Sequence, residues 1–405
     1  MRIGISTSVI QRGRTGIAQY LFALLRGFLS FTREHEFVLF VLREDIPLFD
    51  FVRDRVTIVP VDEKHRPAVR NILWHQVQLP SLCRKHRLDV LHVPSYRRML
   101  FARPCVKVAT IHDLAPFHVA RKYDWKRMLY GRVVARILSR RQDRVIAISR
   151  STAADVKRFF GVAGNRLTVV HNGVDHQRFF PGDKAQALAA VRDRHQLDKP
   201  FFLYVARLEH PGKNHVRLIS AFNRFKAATG SDWLLVLGGS DWHGAEFIHE
   251  AARTSPFSAD IRTLGFVPDD QLPELYRSAD VFVYPSLFEG FGMPPIEAMA
   301  CGCPVISSSR GSLAEVVGDA AAIVDPKSEN SITEQLTRLA GDDSFREHLR
   351  MAGLCQAQQF NWASTASETI GVYEQALAQV ESRHVHRRNG IAASDQAHDP
   401  APVRR

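Results

Sequence analysis

Several things are scarce in this chain of 405 residues. No apolar run approaches the roughly 18 residues that a membrane-crossing helix needs. The start lacks the charged-then-apolar pattern of a secretory leader, and residues 1–5 read instead as a first strand. Cysteines number five, an odd and scattered set. That argues against a disulfide framework and suits a reducing cytosol. Cys301 and Cys303 form half of a metal-type pair with no second pair at zinc spacing, so they read as small buried residues after a helix. An Asp-x-Asp pair is absent throughout, which weakens the case for a catalytic divalent ion. Membrane spans, secreted scaffolds and resident metals are therefore all expected to be missing.

Positive charge, by contrast, is plentiful and uneven. The net charge is +12, with the basic excess in residues 1–180 and a small acidic excess in the remainder. Such asymmetry suggests that one half faces something anionic. The densest part spans residues 121–141, where apolar positions recur at helical spacing among the arginines and Trp125 and Tyr130 offer interfacial rings. A domain helix with a solvated basic face competes there with a contact on anionic lipid. Nucleic acid is the weaker rival, since no reader motif is present.

Apolar, β-rich runs alternate with amphipathic stretches twice over. The first series lies at 2–7, 37–42, 56–61, 90–93, 106–111, 145–148 and 167–170; the second at 201–205, 233–237, 261–265, 281–284, 304–307 and 321–324. This alternation predicts α/β architecture: two Rossmann-like, doubly wound parallel sheets in series, facing a central cleft. Pro181-Gly182-Asp183 and Lys199-Pro200 mark the change, giving domains of 1–180 and 199–360. A helix is expected over 361–380, and the polar, basic stretch 382–405 reads as a disordered tail.

The most informative segment is 285–302. Glu289 and Glu297 bracket Gly290-Phe291-Gly292-Met293, between a strand ending at Tyr284 and a helix opening at Pro294 or Pro295. Proline suits a first helical position, glycine lets backbone amides approach a ligand, and a helix N-terminus favours an anion. Carboxylates beside that anion accept hydrogen bonds from hydroxyls. A ligand with phosphate and several hydroxyls is a nucleotide sugar. Two glutamates on an ordinary loop and helix face would leave the flanking glycines and prolines unexplained.

This segment resembles the Glu-x7-Glu motif of retaining glycosyltransferases of the two-domain GT-B architecture, glycosyltransferase family 4 in particular. Other motifs extend the resemblance to about residue 380. Gly13 to Tyr20 looks like the family's N-terminal glycine loop, with Gly16 at the position near the donor diphosphate, although a plain turn has the same pattern. Ile111-His112-Asp113 looks like the family's His-Asp pair, whose histidine contacts the transferred sugar; alone, a histidine there is more often structural. The Asn172-Gly173 turn matches the interdomain signature. Arg207 and Lys213 match the cations that hold the diphosphate, here one residue further apart than in many relatives. Gly265 to Pro268, with Val267, looks like the segment against the nucleobase.

The resemblance implies His112, Arg207, Lys213 and Glu289 as catalytic residues. Gly16, Val267, Gly290, Phe291, Gly292, Met293 and Glu297 would bind the donor, with no metal and no cofactor. It further implies a retaining, metal-independent hexosyltransferase, mannosyl being one option, acting on a lipid-linked or polysaccharide acceptor in cell-surface polysaccharide synthesis. The last helix would cross back onto the N-terminal domain, and the place would be the cytoplasm, with the inner membrane surface as a peripheral contact. A nucleotide-sugar epimerase on the same architecture and a non-enzymatic basic binding protein are the alternatives.

Overall fold

A computed structural model of the protein describes residues 1–13, 15–31, 34–118 and 129–396. Its strands are β1 (Arg2–Ser6), β2 (Glu36–Leu42), β3 (Thr57–Val61), β4 (Val90–Val93), β5 (Val106–Ile111), β6 (Arg144–Ala147) and β7 (Leu167–Val169) in the first half. The second half holds β8 (Phe201–Val205), β9 (Leu234–Gly238), β10 (Ile261–Gly265), β11 (Val281–Tyr284), β12 (Val305–Ser308) and β13 (Ala322–Val324). They pair into two sheets, ordered β3-β2-β1-β4-β5-β6-β7 and β10-β9-β8-β11-β12-β13.

Every ladder is parallel. Near-continuous runs such as Phe37–Leu42 and Phe201–Tyr204 are buried because helices cover both faces of such a sheet. In the first sheet, Ile3, Ile5, Leu39 and Val108 pack toward one side while Phe40 and Leu91 pack toward the other, against Trp74 of helix Ala68–Lys85. Strand order reverses between β1 and β4, and again between β8 and β11. In open α/β sheets, ligands bind beyond the strand C-termini at such switch points.

Helix Trp362–Gln396 lies against helix Gly16–Phe31 of the first half. Gly27 permits this approach, since a Cβ there would stand 2.7 Å from the Ala366 Cβ and 2.9 Å from the Trp362 carbonyl. Deeper in the contact the Tyr373 hydroxyl bonds His92 Nδ1 at 2.8 Å. The helix continues past residue 380 to Gln396, so residues 382–396 of the expected tail are helical, and 397–405 lie outside the described residues. In the basic segment, residues 121–128, Trp125 included, also lie outside them. Of the remainder, Gly131, Ala135 and Leu138 face inward. Tyr130 turns inward too, its hydroxyl donating to the Arg97 carbonyl, and so is not the interfacial ring its spacing suggested. Arg132, Arg136, Arg140 and Arg141 are exposed beside exposed Leu129, Val133 and Ile137.

Candidate active site at the facing sheet edges

On the second sheet, the loops after β8 and β11 are tied together. The Leu287 N–H donates to the Gly212 carbonyl at 3.0 Å, and the Ser286 Oγ lies 3.3 Å from the same oxygen. Asn214, which tolerates its left-handed φ of 66°, donates through Nδ2 to the Pro285 and Pro326 carbonyls. Tyr204 OH donates to the Lys213 carbonyl at 2.6 Å. This scaffold brings Lys213 Nζ to 2.6 Å from Glu289 Oε1 and 3.0 Å from Tyr284 OH. Ser286 and Tyr284 donate to the same carboxylate oxygen, at 2.6 and 3.2 Å. Burial draws Lys213 toward the neutral form, but the Glu289 carboxylate more than offsets this and holds the ammonium above its usual pKa.

Arg207 lies six residues before Lys213, on the loop after β8. Its exposed guanidinium lies over the Trp242 ring, 4.8 Å from the centroid, and 3.7 Å from Glu209. Glu297, on the helix Met293–Ala300, accepts from Tyr276 OH at 3.2 Å. Burial pushes its pKa up to about 7, with the Arg178 charge opposing. Gly292 adopts φ 99° ahead of that helix, and a Cβ there would lie 2.4 Å from Leu313 Cδ2. Pro294 and Pro295 fall in the helix's first turn, as proline chemistry favours, and Met293 opens it half-buried. Val267 is buried against Gly238, with exposed Phe266 beside it.

Gly290 and Phe291 have structural duties as well. A Cβ at Gly290 would stand 1.9 Å from the His112 carbonyl, so glycine is what lets the two halves meet here. Its carbonyl accepts from Ser149 Oγ and Thr152 Oγ1, at 2.8 and 3.2 Å. The Phe291 ring packs edge-on against Phe360, and its carbonyl accepts from Ser312 Oγ. Residue spacing gave no sign of Ser149, Thr152 or Glu315, all of which join the halves. Glu315 accepts from the Arg150 and Ser151 N–H groups at 2.8 and 3.0 Å and from His171 Nε2 at 2.9 Å.

Across the junction, His112 follows β5, its ring edge-on to Tyr20 with centroids 4.7 Å apart. Burial pushes its pKa down to about 4, and the Pro94 carbonyl takes its ring N–H. Nε2 is then a buried acceptor with no partner among the described residues, apt for a sugar hydroxyl. Gly16 opens the helix that carries Tyr20, and a Cβ there would meet nothing within 4 Å. Cys301 and Cys303 are buried thiols. Among the described residues no group of three or more His, Cys, Asp or Glu side chains is gathered as a metal ion requires.

Two parallel doubly wound halves with glutamates, a lysine and a neutral histidine at their junction define a sugar-nucleotide enzyme of the GT-B fold. Residues 189–354 match the model described as glycosyl transferases group 1, and residues 14–178 the model of glycosyltransferase family 4. The chain is 31% identical over 392 residues to the O-antigen chain mannosyltransferase B of Escherichia coli, covering 92% of this chain and 100% of that protein. It therefore belongs to this family of glycosyltransferases. Solved structures share the fold. Sucrose-phosphate synthase from Thermosynechococcus elongatus superposes with a TM-score of 0.75 at 20% identity, covering 94% of this chain and 100% of that one. Anabaena HepE in complex with UDP and glucose gives 0.72 at 16%, covering 93% and 100%.

Proposed function

We propose that the protein transfers a hexosyl unit, mannosyl by likeness to the Escherichia coli O-antigen enzyme, from a nucleotide diphosphate sugar to a lipid-linked or polysaccharide acceptor. The observation that carries this is Lys213 held at 2.6 Å from Glu289, on the sheet edge that meets His112 through Gly290. A fixed ammonium there balances charge developing on a leaving diphosphate, and Arg207, released from Trp242, adds a second cation. Glu289 and the Gly290–Met293 amides would hold sugar and phosphate, with Glu297 on the ribose hydroxyls and Val267 against the base. His112 Nε2 would accept from a hydroxyl of the transferred sugar.

In this reading the acceptor oxygen bonds to the anomeric carbon as the bond from that carbon to the phosphate oxygen breaks. The acceptor proton passes to the leaving phosphate on the same face, so configuration is retained and no metal takes part. Closure of the two halves excludes water. The exposed Arg132, Arg136 and Arg140 beside Leu129, Val133 and Ile137 would rest on anionic lipid at the inner membrane surface. No helix among the described residues is long and apolar enough to cross a membrane.

A panel of GDP-, UDP-, ADP- and dTDP-linked sugars, assayed for transfer with the anomer determined by NMR, tests the reaction. Transfer from none of them, or an inverted product, defeats it. Flotation with anionic liposomes at low and high salt tests the membrane contact, and absence of binding at low salt removes it.

A further inference from the structure

The loop after β4 carries an arginine that the roles above do not use. Arg98 lies four residues beyond Pro94, whose carbonyl holds His112, and so on the same sheet edge. It is half-buried and rigidly set. Its Nε donates to Asn71 Oδ1 at 2.5 Å, one Nη to the Arg97 carbonyl at 3.2 Å, and its backbone N–H to Ser95 at 3.1 Å. Asn71 is 1% exposed and fixed in turn: Nδ2 donates to the His65 carbonyl, and Ser8 Oγ donates to Oδ1. His75 Nδ1 donates to the Asn71 carbonyl, while its Nε2 accepts from Ser6 at the end of β1. Helix Ala68–Lys85 is thereby fastened to the central strand, and Arg98 to that helix.

Charge balance makes this arginine unlike its neighbour Arg66, which reaches Asp45 at 3.1 Å and Glu63 at 2.7 Å. No carboxylate among the described residues stands within ion-pair distance of Arg98. Burial lowers its pKa, and the adjacent Arg97 charge adds to that. A guanidinium keeps its proton at any ordinary pH, so this half-buried charge is left for solvent or a ligand anion to balance. Two of its donors are engaged, and the planar fork that remains matches a phosphate or carboxylate.

We propose that Arg98, set by Asn71 and Ser8, is an acceptor-reading group of the N-terminal domain and takes an anionic group, phosphate or carboxylate, on the acceptor. This rests on the transferase reading of the cleft, with the donor held on the opposite sheet edge. Two sources fit the chemistry: the diphosphate of a lipid-linked acceptor or the carboxylate of an acidic sugar.

The test is titration calorimetry with the donor site saturated by whichever of GDP or UDP binds, using geranyl diphosphate, glucuronate and methyl mannoside as probes. One of the two anions binds wild type, identifying the source, and the neutral mannoside does not compete with it. Arg98→Gln weakens that anion roughly tenfold or more, consistent with loss of a charge-assisted contact. Arg98→Lys keeps part of the affinity, and Ser8→Asp, which sets a carboxylate near the guanidinium, weakens it without removing the arginine. Nucleotide affinity stays unchanged in all three variants, which also reports that they fold. Equal anion binding by Arg98→Gln and wild type, or no anion binding by wild type, overturns the proposal. Failure of every nucleotide to bind wild type would instead strike the cleft reading beneath it.

Discussion

The two facing sheet edges treat their polar groups differently. On the C-terminal edge, Lys213, Glu289, Tyr284 and Ser286 satisfy one another, and Glu297 has Tyr276. Across the junction, among the described residues, His112 Nε2 is buried with no partner and Arg98 has no carboxylate within ion-pair distance. A preassembled cluster costs little reorganisation when charge develops, which suits the diphosphate side of a transfer reaction. An edge with unmatched groups is completed by its substrate, which suits the selection of hydroxyls and anions. The contrast teaches that rate should reside mainly on the second sheet and selectivity on the first.

The sharpest way to break that contrast is to remove a charge from the preassembled side. Arg207→Ala should lower kcat by about 10²–10³-fold, the usual effect of losing one group that stabilises developing charge, and Glu289→Ala should do the same by freeing the Lys213 ammonium from its place 2.6 Å away. Circular dichroism and the melting temperature should show both variants folded. Turnover like wild type in either would deprive that residue of its role. Next in size is the junction. Gly290→Ala pushes a Cβ to 1.9 Å from the His112 carbonyl, which is backbone and cannot swing aside. Overpacking of this kind costs about 1–3 kcal/mol, so the melting temperature should fall. An unchanged melting temperature would mean that the halves do not meet there in solution.

Why the fold was readable and the junction was not follows from how each is encoded. Strands buried on both faces, such as β4 and β5, appear as short apolar runs and fall at 90–93 and 106–111 as read. Gly292 and the two prolines announce the helix start by local stereochemistry, and Glu289 with Glu297 stand out because of them. Contacts such as Ser149 to Gly290, 141 residues apart, leave no periodic trace. Arg98 and Asn71 are likewise ordinary surface letters until burial removes their water. Spacing also could not show that Arg207 rests on Trp242.

A smaller effect sharpens the picture of the ribose contact. Glu297 has a pKa of about 7 in the folded protein against an ordinary 4.5, so between these values the folded state holds the proton more tightly. Stability from this group is therefore present below pH 4.5 and lost as pH rises toward 7. Hydroxyl donors prefer the ionised carboxylate, so nucleotide binding should tighten between pH 6 and 8 and release a proton. Calorimetry in buffers of different ionisation enthalpy reads this directly. Glu297→Gln should flatten the dependence, and a slope that survives the substitution would assign the proton elsewhere.

The smallest expected effect lies where the two edges are held together. Glu315 belongs to the second half but receives the Arg150 and Ser151 N–H groups that open a helix of the first, plus His171. Burial opposes its ionisation, yet the His171 bond and the two N–H donors prevail and keep its pKa below 4.5. A depressed carboxylate contributes stability above pH 4.5 that fades as pH falls through its folded value. Glu315→Gln keeps the shape and one acceptor while removing the charge at a helix start, a change of about 1 kcal/mol. The melting temperature of the variant should fall slightly at pH 7 and converge on wild type as the pH falls well below 4.5. A difference that persists unchanged at low pH would show that Glu315 acts through packing, and the junction would then owe its hold to Gly290 and its partners.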